Sequence, residues 1–560
     1  MKRKGLNIVI GGEAGQGLVT VGELLSKALV RSGYDIVVTK SYMSRIRGGH
    51  NTFAVRVSTG GIEAPADETD ILVALDSRTV EEHGKELAEG GLIMGDSAIV
   101  EGVENAFAVP LGKLYEGKFQ NTAALGALWS ILGLDTGDLA DLMRDEFGKK
   151  GEETVSKNVE AVEKGCAWAE RHGPDSLRLE KPREKRRRMV LNGNEAIALG
   201  AASAGLRFCS FYPMTPATSI PLTLISISKE MGIVVEQAED EIAAVNMAIG
   251  ASYAGAPAMV ATSGGGFALM QEGVSLAGMT ETPLVLVVAQ RPGPATGLPT
   301  RTEQADLEFV LYSGHGEFPR AIFAPGDIEE CFHLTRAAFG LAEEFQTPVF
   351  ILTDQFLADS SRAAPPFEVD GLEWIEPGDD PESVEEPYMR YRMTGDGVSP
   401  RLLPGVSRHL VVADSDEHDE EGHITEDLGI RKRMVDKRMT KGLGIAGQIV
   451  PPSYEGDDEP DTLLVCWGST KGSALEAAAA LRERGGKAGV LHFSQVWPLD
   501  PGQFLERFDG PERIVCVESN ATGQFARLIH REAGREISDR IYRYDGLPIT
   551  PGYILEGLEG

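Results

Sequence analysis

Short apolar segments alternate with amphipathic helical patterns along most of this chain, and that alternation is its strongest constraint on the fold. Residues 6–10 are predicted as a buried strand, residues 18–30 as a helix and residues 36–39 as the next strand. A strand, a helix and a second strand in this order form the βαβ unit of a parallel sheet. The pattern therefore predicts an α/β protein with helices covering its sheets.

The same alternation recurs in two later regions, and 560 residues is enough chain for about three or four domains. We predict three domains with doubly wound parallel sheets, at residues 1–180, 189–365 and 461–560. Residues 366–460 are rich in Pro, Asp, Glu and Gly and show no sustained periodicity. They are predicted to form a long acidic connecting segment.

The charge balance excludes some classes of partner. Lys and Arg total 54 against 85 Asp and Glu, which gives a formal charge of −31. A field of this sign repels nucleic-acid phosphates and anionic lipids. No window approaches the run of about 18 apolar residues that a membrane helix needs. We expect neither a nucleic-acid partner nor a membrane span.

The chain has 5 cysteines, at positions 166, 209, 331, 466 and 516, and contains no CxxC motif. Iron–sulfur clusters and structural zinc sites usually take ligands from closely spaced cysteines. This chain is therefore not expected to hold either by itself, and we assign it no metal ligands. An odd, scattered set of thiols is typical of reduced cysteines in a cytoplasm.

A glycine-rich turn, residues 12–17 with the sequence GEAGQG, separates the first predicted strand from the first helix. Backbone amides at such a position can bind a phosphate. The spacing is GxxGxG rather than GxGxxG, and Thr39 and Lys40 occupy the place where an NAD site has an acidic residue. A dinucleotide site, another phosphate-bearing ligand and a tight structural turn remain open, with the turn favoured.

Two further polar segments have more than one interpretation. Residues 44–51, SRIRGGHN, carry Arg45 and Arg47, which could bind an anionic ligand or form salt bridges between domains. Residues 417–423, EHDEEGH, contain side chains that suit zinc or iron, but an exposed acidic loop is the favoured interpretation.

In the second domain, several strand ends carry polar or glycine-rich sequences. Residues 212–218, YPMTPAT, end a strand, and we predict Thr215 at the N-cap of the next helix and Pro216 at its first position. Capping alone explains this pattern, but an open helix N-terminus also suits a substrate carboxylate. Arg291 follows the apolar strand 284–288, at the edge where α/β proteins bind ligands.

An acidic run, QAEDE at residues 237–241, leads into a helix rich in small residues. Acidic side chains in a first turn are often simple complements of the helix dipole. Small side chains, however, let another backbone approach closely, which favours a functional carboxylate at this place. Residues 262–267, TSGGGF, then form a flexible turn between a strand and a helix.

Taken together, these motifs resemble the alpha subunit of 2-oxoacid:ferredoxin oxidoreductases, with a gamma-type domain fused at its N-terminus. The resemblance covers nearly the whole chain and rests on the following sequences: GGEAGQG, RGGHN, YPMTPAT, QAEDE, TSGGGF, QRPGPATGLPTRTEQADL, GDGVSPRLLPG, SDEHDEEGH and MVDKR. It implies a gamma-type Rossmann-like domain, a thiamine diphosphate pyrimidine-binding domain and a domain like the C-terminal one of transketolase. Family members decarboxylate a 2-oxoacid on thiamine diphosphate, pass electrons to ferredoxin and transfer the acyl group to coenzyme A.

The resemblance also implies roles for individual residues. Glu241 would bind the aminopyrimidine ring of the cofactor, since it stands nine positions before Gly250, which matches the family spacing to the glycine that ends the helix. Glu239 is the rival. The remaining assignments are Thr215, Arg291 and Thr300 for the substrate carboxylates, Tyr212, Pro213, Gly264 and Gly265 for the cofactor, and Gly15, Gly17, Arg45 and Arg47 for coenzyme A.

The chain is expected to supply half of an active site. Related thiamine enzymes bind Mg²⁺ through a GDG sequence and an Asn about thirty residues later. Here Gly395–Gly397 is followed only by Asn520, 123 residues further on, so this GDG is predicted to be a loop without that role. A beta subunit would bring the diphosphate-binding domain, Mg²⁺ and a [4Fe-4S] cluster, in an (αβ)₂ assembly.

The expected reaction is the oxidative decarboxylation of 2-oxoglutarate to succinyl-CoA, or the reverse carboxylation. Pyruvate and branched-chain or mixed 2-oxoacids are the alternative substrates. Two hypotheses from other functional classes remain. The chain could be a Rossmann-type NAD(P)-dependent dehydrogenase built on the GEAGQG turn, or a non-catalytic scaffold subunit.

Overall fold

The computed structural model describes residues 2–43, 49–115 and 117–559. Its strands are β1 (Gly5–Glu13), β2 (Asp35–Ser41), β3 (His50–Ser58), β4 (Thr69–Ala74), β5 (Leu87–Asp96), β6 (Ala106–Val109), β7 (Met189–Asn192), β8 (Phe208–Phe211), β9 (Val234–Gln237), β10 (Ala258–Thr262), β11 (Leu284–Gln290), β12 (Ala321–Phe323), β13 (Pro348–Asp354), β14 (Ser361–Ala364), β15 (Ser453–Gly456), β16 (Thr462–Trp467), β17 (Ala488–Phe493), β18 (Gln495–Trp497), β19 (Arg513–Glu518) and β20 (Asp539–Tyr542).

The helices are α1 (Leu18–Arg31), α2 (Ser77–His83), α3 (Ser97–Val100), α4 (Leu111–Leu114), α5 (Gln120–Ile131), α6 (Thr136–Phe147), α7 (Glu152–His172), α8 (Gly193–Ala204), α9 (Ser219–Met231), α10 (Glu241–Tyr253), α11 (Gly264–Phe267), α12 (Gln271–Met279), α13 (Leu307–Leu311), α14 (Ile328–Phe345), α15 (Gln355–Asp359), α16 (Leu428–Ala446), α17 (Lys471–Glu483), α18 (Gln524–Ala533) and α19 (Pro551–Glu559). The predicted α/β class is confirmed. The predicted domain boundaries stay predictions.

The chain divides into two compact units. Unit 1 contains Met1–Leu191, Ser360–Pro366 and Thr550–Tyr553, and unit 2 contains Asn192–Asp359, Phe367–Ile549 and Ile554–Gly560. In unit 1 the sheet has the strand order β6-β5-β4-β1-β3-β2-β14-β7. Helices α5 and α7 pack closely in this unit. A Cβ on Gly165 would lie 2.0 Å from the carbonyl oxygen of Ala123, so the approach requires glycine at this position.

The sheet of unit 1 is mixed, so the expectation of an entirely parallel first sheet is wrong. Strands β1, β4, β5 and β6 run parallel, but β3 lies between β1 and β2 and pairs with both in antiparallel register. The predicted βαβ opening is therefore present with one strand inserted into it. Strand β3 buries alternate side chains only, and the sequence does not predict it because its apolar residues do not form a continuous run.

Unit 2 contains two sheets that share one apolar core. The first has the order β18-β12-β13-β11-β10-β8-β9, and its strands run parallel except for the edge strand β18. The second has the order β15-β17-β16-β19-β20 and is parallel except for the edge strand β15. The central strands are buried along nearly their whole length, as expected for sheets with covered faces.

The connecting segment of unit 2 is more ordered than predicted, since it contains the 19-residue helix α16. Lys437 and Lys441 on this helix are buried and bind the carboxylate of Glu281, with nitrogen to oxygen distances of 2.7–2.8 Å. Burial acts to raise the pKa of Glu281, but Lys441, Lys437 and Arg390 outweigh it and lower that pKa well below its ordinary value. The sequence pattern does not predict this helix, because three of its five buried residues, Lys437, Arg438 and Lys441, are basic.

The 417–423 segment is also less exposed than predicted. His418 is fully buried, with its Nδ1 atom 3.0 Å from the carbonyl oxygen of Asp416. Glu417 pairs with Arg431 and Arg438 on α16. Glu417 is therefore held against α16 by two ion pairs. Among the described residues, no helix combines the length and apolar character that crossing a bilayer requires.

Candidate functional site

The candidate site lies in unit 2, in the loops that follow strands β8, β9, β10 and β11. Strands β8, β10 and β11 are parallel neighbours, and β9 is the parallel neighbour of β8. Because the carboxyl ends of parallel strands meet at one edge of a sheet, the loops after them lie close together. The residues singled out from the sequence in this region fall in or beside these loops.

The loop after β8 holds Tyr212, Pro213 and Thr215. The expectation that Thr215 caps the next helix is wrong, because α9 begins at Ser219 and Thr218 is its N-cap. Instead, the carbonyl oxygen of Thr215 accepts a hydrogen bond of 2.7 Å from Arg291 Nη1. This bond joins the loop after β8 to the loop after β11.

Tyr212 and Pro213 are exposed at the start of the same loop, Tyr212 with 38% of its surface accessible. Thr300 lies further along the loop that begins at Arg291 and is buried. The structure thus brings Thr215 and Arg291 into contact and leaves Tyr212 and Pro213 open to a neighbouring molecule.

Glu241 is the first residue of α10 and is buried, with 4% of its surface exposed. Asp240 supplies the N-cap, since its carboxylate accepts a hydrogen bond from the backbone N–H of Ala243 at 2.7 Å. Glu239 is exposed in the loop before the helix. Within the described residues, the Glu241 carboxylate has neither an ion pair nor a hydrogen bond. The structure therefore distinguishes the two glutamates by burial.

The expected relation between Glu241 and Gly250 needs a correction. Gly250 lies inside α10, which continues to Tyr253, so it does not end the helix. It is exposed, and no atom lies within 4 Å of a Cβ built on it. The small residue there leaves open space on the outer face of α10.

The TSGGGF segment, which the sequence predicts as a flexible turn, instead contains the short helix α11 after β10, and two of its glycines pack directly against carboxylates. A Cβ on Gly266 would lie 2.6 Å from Glu241 Oε1, and a Cβ on Gly264 would lie 2.3 Å from Asp306 Oδ2. Gly265 has more room, since the nearest atom to its Cβ position is 3.6 Å away. Only glycine at positions 264 and 266 allows this approach, which explains the first and third glycines of the GGG sequence.

Asp306 and Glu303 form an acidic pair near Arg291. Burial raises the pKa of Asp306 to about 6, although Arg291 opposes the shift. Burial, together with the neighbouring Asp306, raises the pKa of Glu303 to about 7. Burial also lowers the pKa of Arg291, an effect that Asp306 opposes. The site can therefore change its charge near neutral pH.

Two buried hydroxyl groups near these strand ends have no hydrogen-bond partner within the described part of the chain. They are Ser263 Oγ, directly after β10, and Thr353 Oγ1, near the end of β13. A buried polar atom without a partner is costly, so such atoms often mark a place where a ligand or water binds. Ser263 immediately precedes helix α11, whose Gly266 lies against Glu241.

In unit 1, the glycine turn lies between β1 and α1. Gly15 and Gly17 have positive φ values of 95° and 83°, which other residues rarely adopt. Asn121 Nδ2 donates to the carbonyl oxygen of Gln16 at 2.6 Å and so fixes the turn. Arg45 and Arg47 lie outside the described residues.

Sequence reasoning missed the roles of Ser263, Gly266, Glu303 and Asp306 in building this site. The last two lie in the TEQADL sequence, where two acidic residues three positions apart were the available signal. Their burial could not be inferred, because it depends on the fold of the loop that contains them. The backbone N–H of Asp306 donates to Gln290 Oε1 at 2.9 Å, which ties that loop back to β11.

Comparison with known protein families gives three matches along the chain. Residues 7–168 match the family described as pyruvate ferredoxin/flavodoxin oxidoreductase. Residues 199–437 match the family described as pyruvate flavodoxin/ferredoxin oxidoreductase, thiamine diP-bdg. Residues 455–549 match the transketolase C-terminal domain.

Comparison with individual proteins gives matches over nearly the full length. The 2-oxoacid:ferredoxin oxidoreductase subunit alpha of Sulfolobus sp is 32% identical over 99% of this chain and 96% of its own length. The 2-oxoglutarate oxidoreductase subunit KorA of Mycobacterium tuberculosis is 29% identical over 93% of this chain and 87% of its own. The solved structure of 2-oxoglutarate:ferredoxin oxidoreductase from Magnetococcus marinus, with 2-oxoglutarate, coenzyme A and succinyl-CoA bound, covers 100% of this chain and 99% of its own, with a TM-score of 0.93 and 32% identity.

Proposed function

The chain belongs to the 2-oxoacid:ferredoxin oxidoreductase family as an alpha subunit, and from this membership we propose that its substrate is 2-oxoglutarate. The predicted family is confirmed, and the chain is a subunit of a thiamine diphosphate-dependent oxidoreductase. The choice of 2-oxoglutarate is supported by the Magnetococcus marinus enzyme, whose structure contains that compound, and by the KorA relatives.

The fit of thiamine diphosphate rests on the buried carboxylate of Glu241. A buried carboxylate without a basic partner suits a hydrogen bond to a ring nitrogen of the cofactor. The Ser263 hydroxyl, which has no hydrogen-bond partner among the described residues, immediately precedes helix α11, where Gly266 lies against Glu241. When bound, thiamine diphosphate supplies the reactive carbon that allows a 2-oxoacid to lose carbon dioxide. Glu241 would hold a proton at the aminopyrimidine, with Tyr212, Pro213, Gly264 and Gly265 beside it.

The observation that carries the assignment of a carboxylate-binding group is the hydrogen bond from Arg291 to the carbonyl of Thr215. It joins two loops at the strand ends and holds the guanidinium group over the same edge as Glu241. A guanidinium is well suited to bind a carboxylate. Arg291 and the Thr215 and Thr300 hydroxyls would therefore orient the carboxylates of the 2-oxoacid.

The outer face of α10 supports the need for a beta subunit. Ile242 and Met247 on this face are 50% and 42% exposed, and Gly250 between them and the helix end is open. A helix that is apolar on all sides is normally covered on all sides. The partner would bring the diphosphate-binding domain, Mg²⁺, a [4Fe-4S] cluster and contact with ferredoxin, in an (αβ)₂ assembly.

Coenzyme A is the expected acyl acceptor, and the Magnetococcus marinus structure contains it. Gly15 and Gly17 in the glycine turn, with Arg45 and Arg47, are the residues we propose for its phosphates. The cysteines are buried and form no disulfide within the described residues, which supports a reducing compartment such as the cytoplasm.

A substrate panel on the co-expressed alpha and beta subunits tests the proposal. Each 2-oxoacid is supplied with coenzyme A and a low-potential dye, and kcat/KM is measured for 2-oxoglutarate, pyruvate and a branched-chain 2-oxoacid. We expect 2-oxoglutarate to give the highest kcat/KM. A higher value for pyruvate would contradict the substrate, and activity with NAD in place of the dye would contradict the reaction class.

A further inference from the structure

A second cluster of polar side chains lies in unit 1 and includes none of the residues assigned to the reaction in unit 2. It contains His50, the first residue of β3, and Glu82 and His83 at the end of α2. One potential metal-ligating atom from each side chain lies within 4.8 Å of the others. Sequence reasoning missed this cluster because 32 residues separate His50 from Glu82.

His50 is the buried member, with 6% of its surface exposed. Neither of its ring nitrogens has a hydrogen-bond partner among the residues that the structure describes. Its ring stacks on that of His83, with centroids 5.1 Å apart and an angle of 28° between the planes. A buried imidazole with both nitrogens unpaired is costly, so this arrangement calls for a ligand that His50 can bind.

His83 is already oriented as metal-ligating histidines are. Its Nδ1 atom lies 2.9 Å from Glu86 Oε2, and since a carboxylate only accepts, the imidazole must donate there. The lone pair for a metal is then on Nε2. A carboxylate that fixes the tautomer of a histidine in this way is a regular feature of zinc sites.

Glu82 provides the third group and the opening to solvent. Its side chain is 41% exposed, and Arg78 Nε donates to its Oε1 atom at 2.5 Å. Asp76 is also near, since its charge acts on His50, and its buried Oδ2 atom has no hydrogen-bond partner in the described ranges of the chain. The cluster thus combines two imidazoles with one accessible carboxylate and a further negative charge close by.

We propose that His50, Glu82 and His83 bind one divalent transition-metal ion, with Zn²⁺ the best match to these ligands. Two imidazoles and a carboxylate suit Zn²⁺, whereas Mg²⁺ prefers oxygen ligands alone. Three protein ligands leave one position of a tetrahedral site open. This site depends on none of the residues used in the proposed function.

The surroundings of His50 do not oppose metal binding. Burial lowers the pKa of His50, and the neighbouring His83 and Arg78 act in the same direction, while Asp76 and Glu82 oppose them. A metal ion binds a histidine through an unprotonated ring nitrogen.

Calorimetric titration of the full-length, chelator-treated chain with Zn²⁺ in excess Mg²⁺ tests the site. We expect one Zn²⁺ to bind, and both His83→Ala and Glu82→Gln to weaken binding at least about tenfold. Glu86→Gln should also weaken it, since it removes the group that orients His83. His172→Ala is the matched control, because His172 is an exposed histidine at the end of a helix in the same unit.

Two further measurements keep the proposal decidable where a variant alters folding. Zn²⁺ should raise the thermal unfolding temperature of the wild type and of His172→Ala but not of His83→Ala. Co²⁺ should give the visible absorption of a tetrahedral site in the same two proteins only. The proposal is overturned if the wild type binds no more Zn²⁺ than His83→Ala, or if His172→Ala loses as much affinity as His83→Ala.

Discussion

At the scale of single residues, Arg291 connects the two loops that would hold the substrate. Replacing it with alanine removes the hydrogen bond to Thr215 and the charge for a substrate carboxylate. A charged hydrogen bond contributes about 1.5–3 kcal/mol, so Arg291→Ala should lower kcat/KM for the 2-oxoacid about ten- to a hundredfold. Steady-state kinetics of the assembled enzyme measure this loss.

Arg527→Ala is the control for Arg291→Ala, since Arg527 pairs with Glu308 on the surface. It should leave kcat/KM close to the wild-type value. A loss of less than about threefold in Arg291→Ala would contradict the assignment of this residue.

The acidic pair beside Arg291 predicts a pH dependence. The pKa values of Asp306 and Glu303 are raised to about 6 and about 7, so both groups gain negative charge as the pH rises through those values. That charge competes with the substrate carboxylate for Arg291. The KM for the 2-oxoacid should therefore rise about two- to fivefold over this range, with a smaller change in kcat.

Asp306→Asn should flatten this rise in KM, whereas Glu308→Gln, which changes a partly exposed glutamate two positions away, should not.

Folding stability should also depend on the protonation of Asp306 and Glu303. Because the folded-state pKa values are raised, the native chain binds more protons than the unfolded chain over this range. Stability due to these groups is present at low pH and is lost as the pH rises through about 6 and 7.

Residue identity could be predicted from the sequence where a local motif carried it. Glu241 was singled out from the QAEDE run, and its burial distinguishes it from Glu239. The contact of Asp306 with Gly264 could not be predicted, because it joins two loops 42 residues apart in the chain. Such contacts depend on the order of the strands in the sheet, which the sequence pattern does not reveal.

At the scale of secondary structure, helix α16 is held by buried charges. Glu281 lies on the loop before β11 and receives both Lys437 and Lys441 of the helix. Glu281→Gln leaves two buried ammonium groups without a counter-charge, and removing one partner of a buried pair costs about 3–5 kcal/mol. Urea unfolding should show a correspondingly lower midpoint.

Glu308→Gln serves again as the matched control, because the ion pair that Glu308 forms with Arg527 lies at the surface and is worth about 1 kcal/mol or less. Equal losses in the two variants would contradict the role of Glu281 in anchoring α16.

Elements with an apolar period were predictable, and those held by polar contacts were not. Strand β1, helix α1, strand β2 and strand β11 contain the segments that their apolar patterns predict, at residues 6–10, 18–30, 36–39 and 284–288. Helix α16 was missed because its buried lysines look like surface residues, and β3 was missed because only alternate residues face the core. The helix after YPMTPAT begins later than predicted, since the loop instead turns toward Arg291.

At the scale of the whole molecule, the account requires a partner that covers α10. Met247→Asp places a charge on the outer face of this helix without disturbing its buried face, since Met247 is 42% exposed. We expect the variant chain to fold but to lose the beta subunit during co-purification. Leu410→Asp, at another exposed leucine, is the control and should retain it.

A folded Met247→Asp chain that still co-purifies with the beta subunit in full amount would show that α10 is not part of the interface. Circular dichroism of the isolated chain establishes that the variant is folded.

The central claim is that Glu241 of this chain promotes proton loss from thiamine diphosphate bound with the beta subunit. Exchange of the thiazolium C2 proton for deuterium, measured by NMR on the assembled complex, tests it most directly. We expect Glu241→Gln to slow this exchange at least about a hundredfold, while Glu239→Gln leaves it unchanged. Exchange at the wild-type rate in Glu241→Gln, or a comparable loss in Glu239→Gln, would contradict the account.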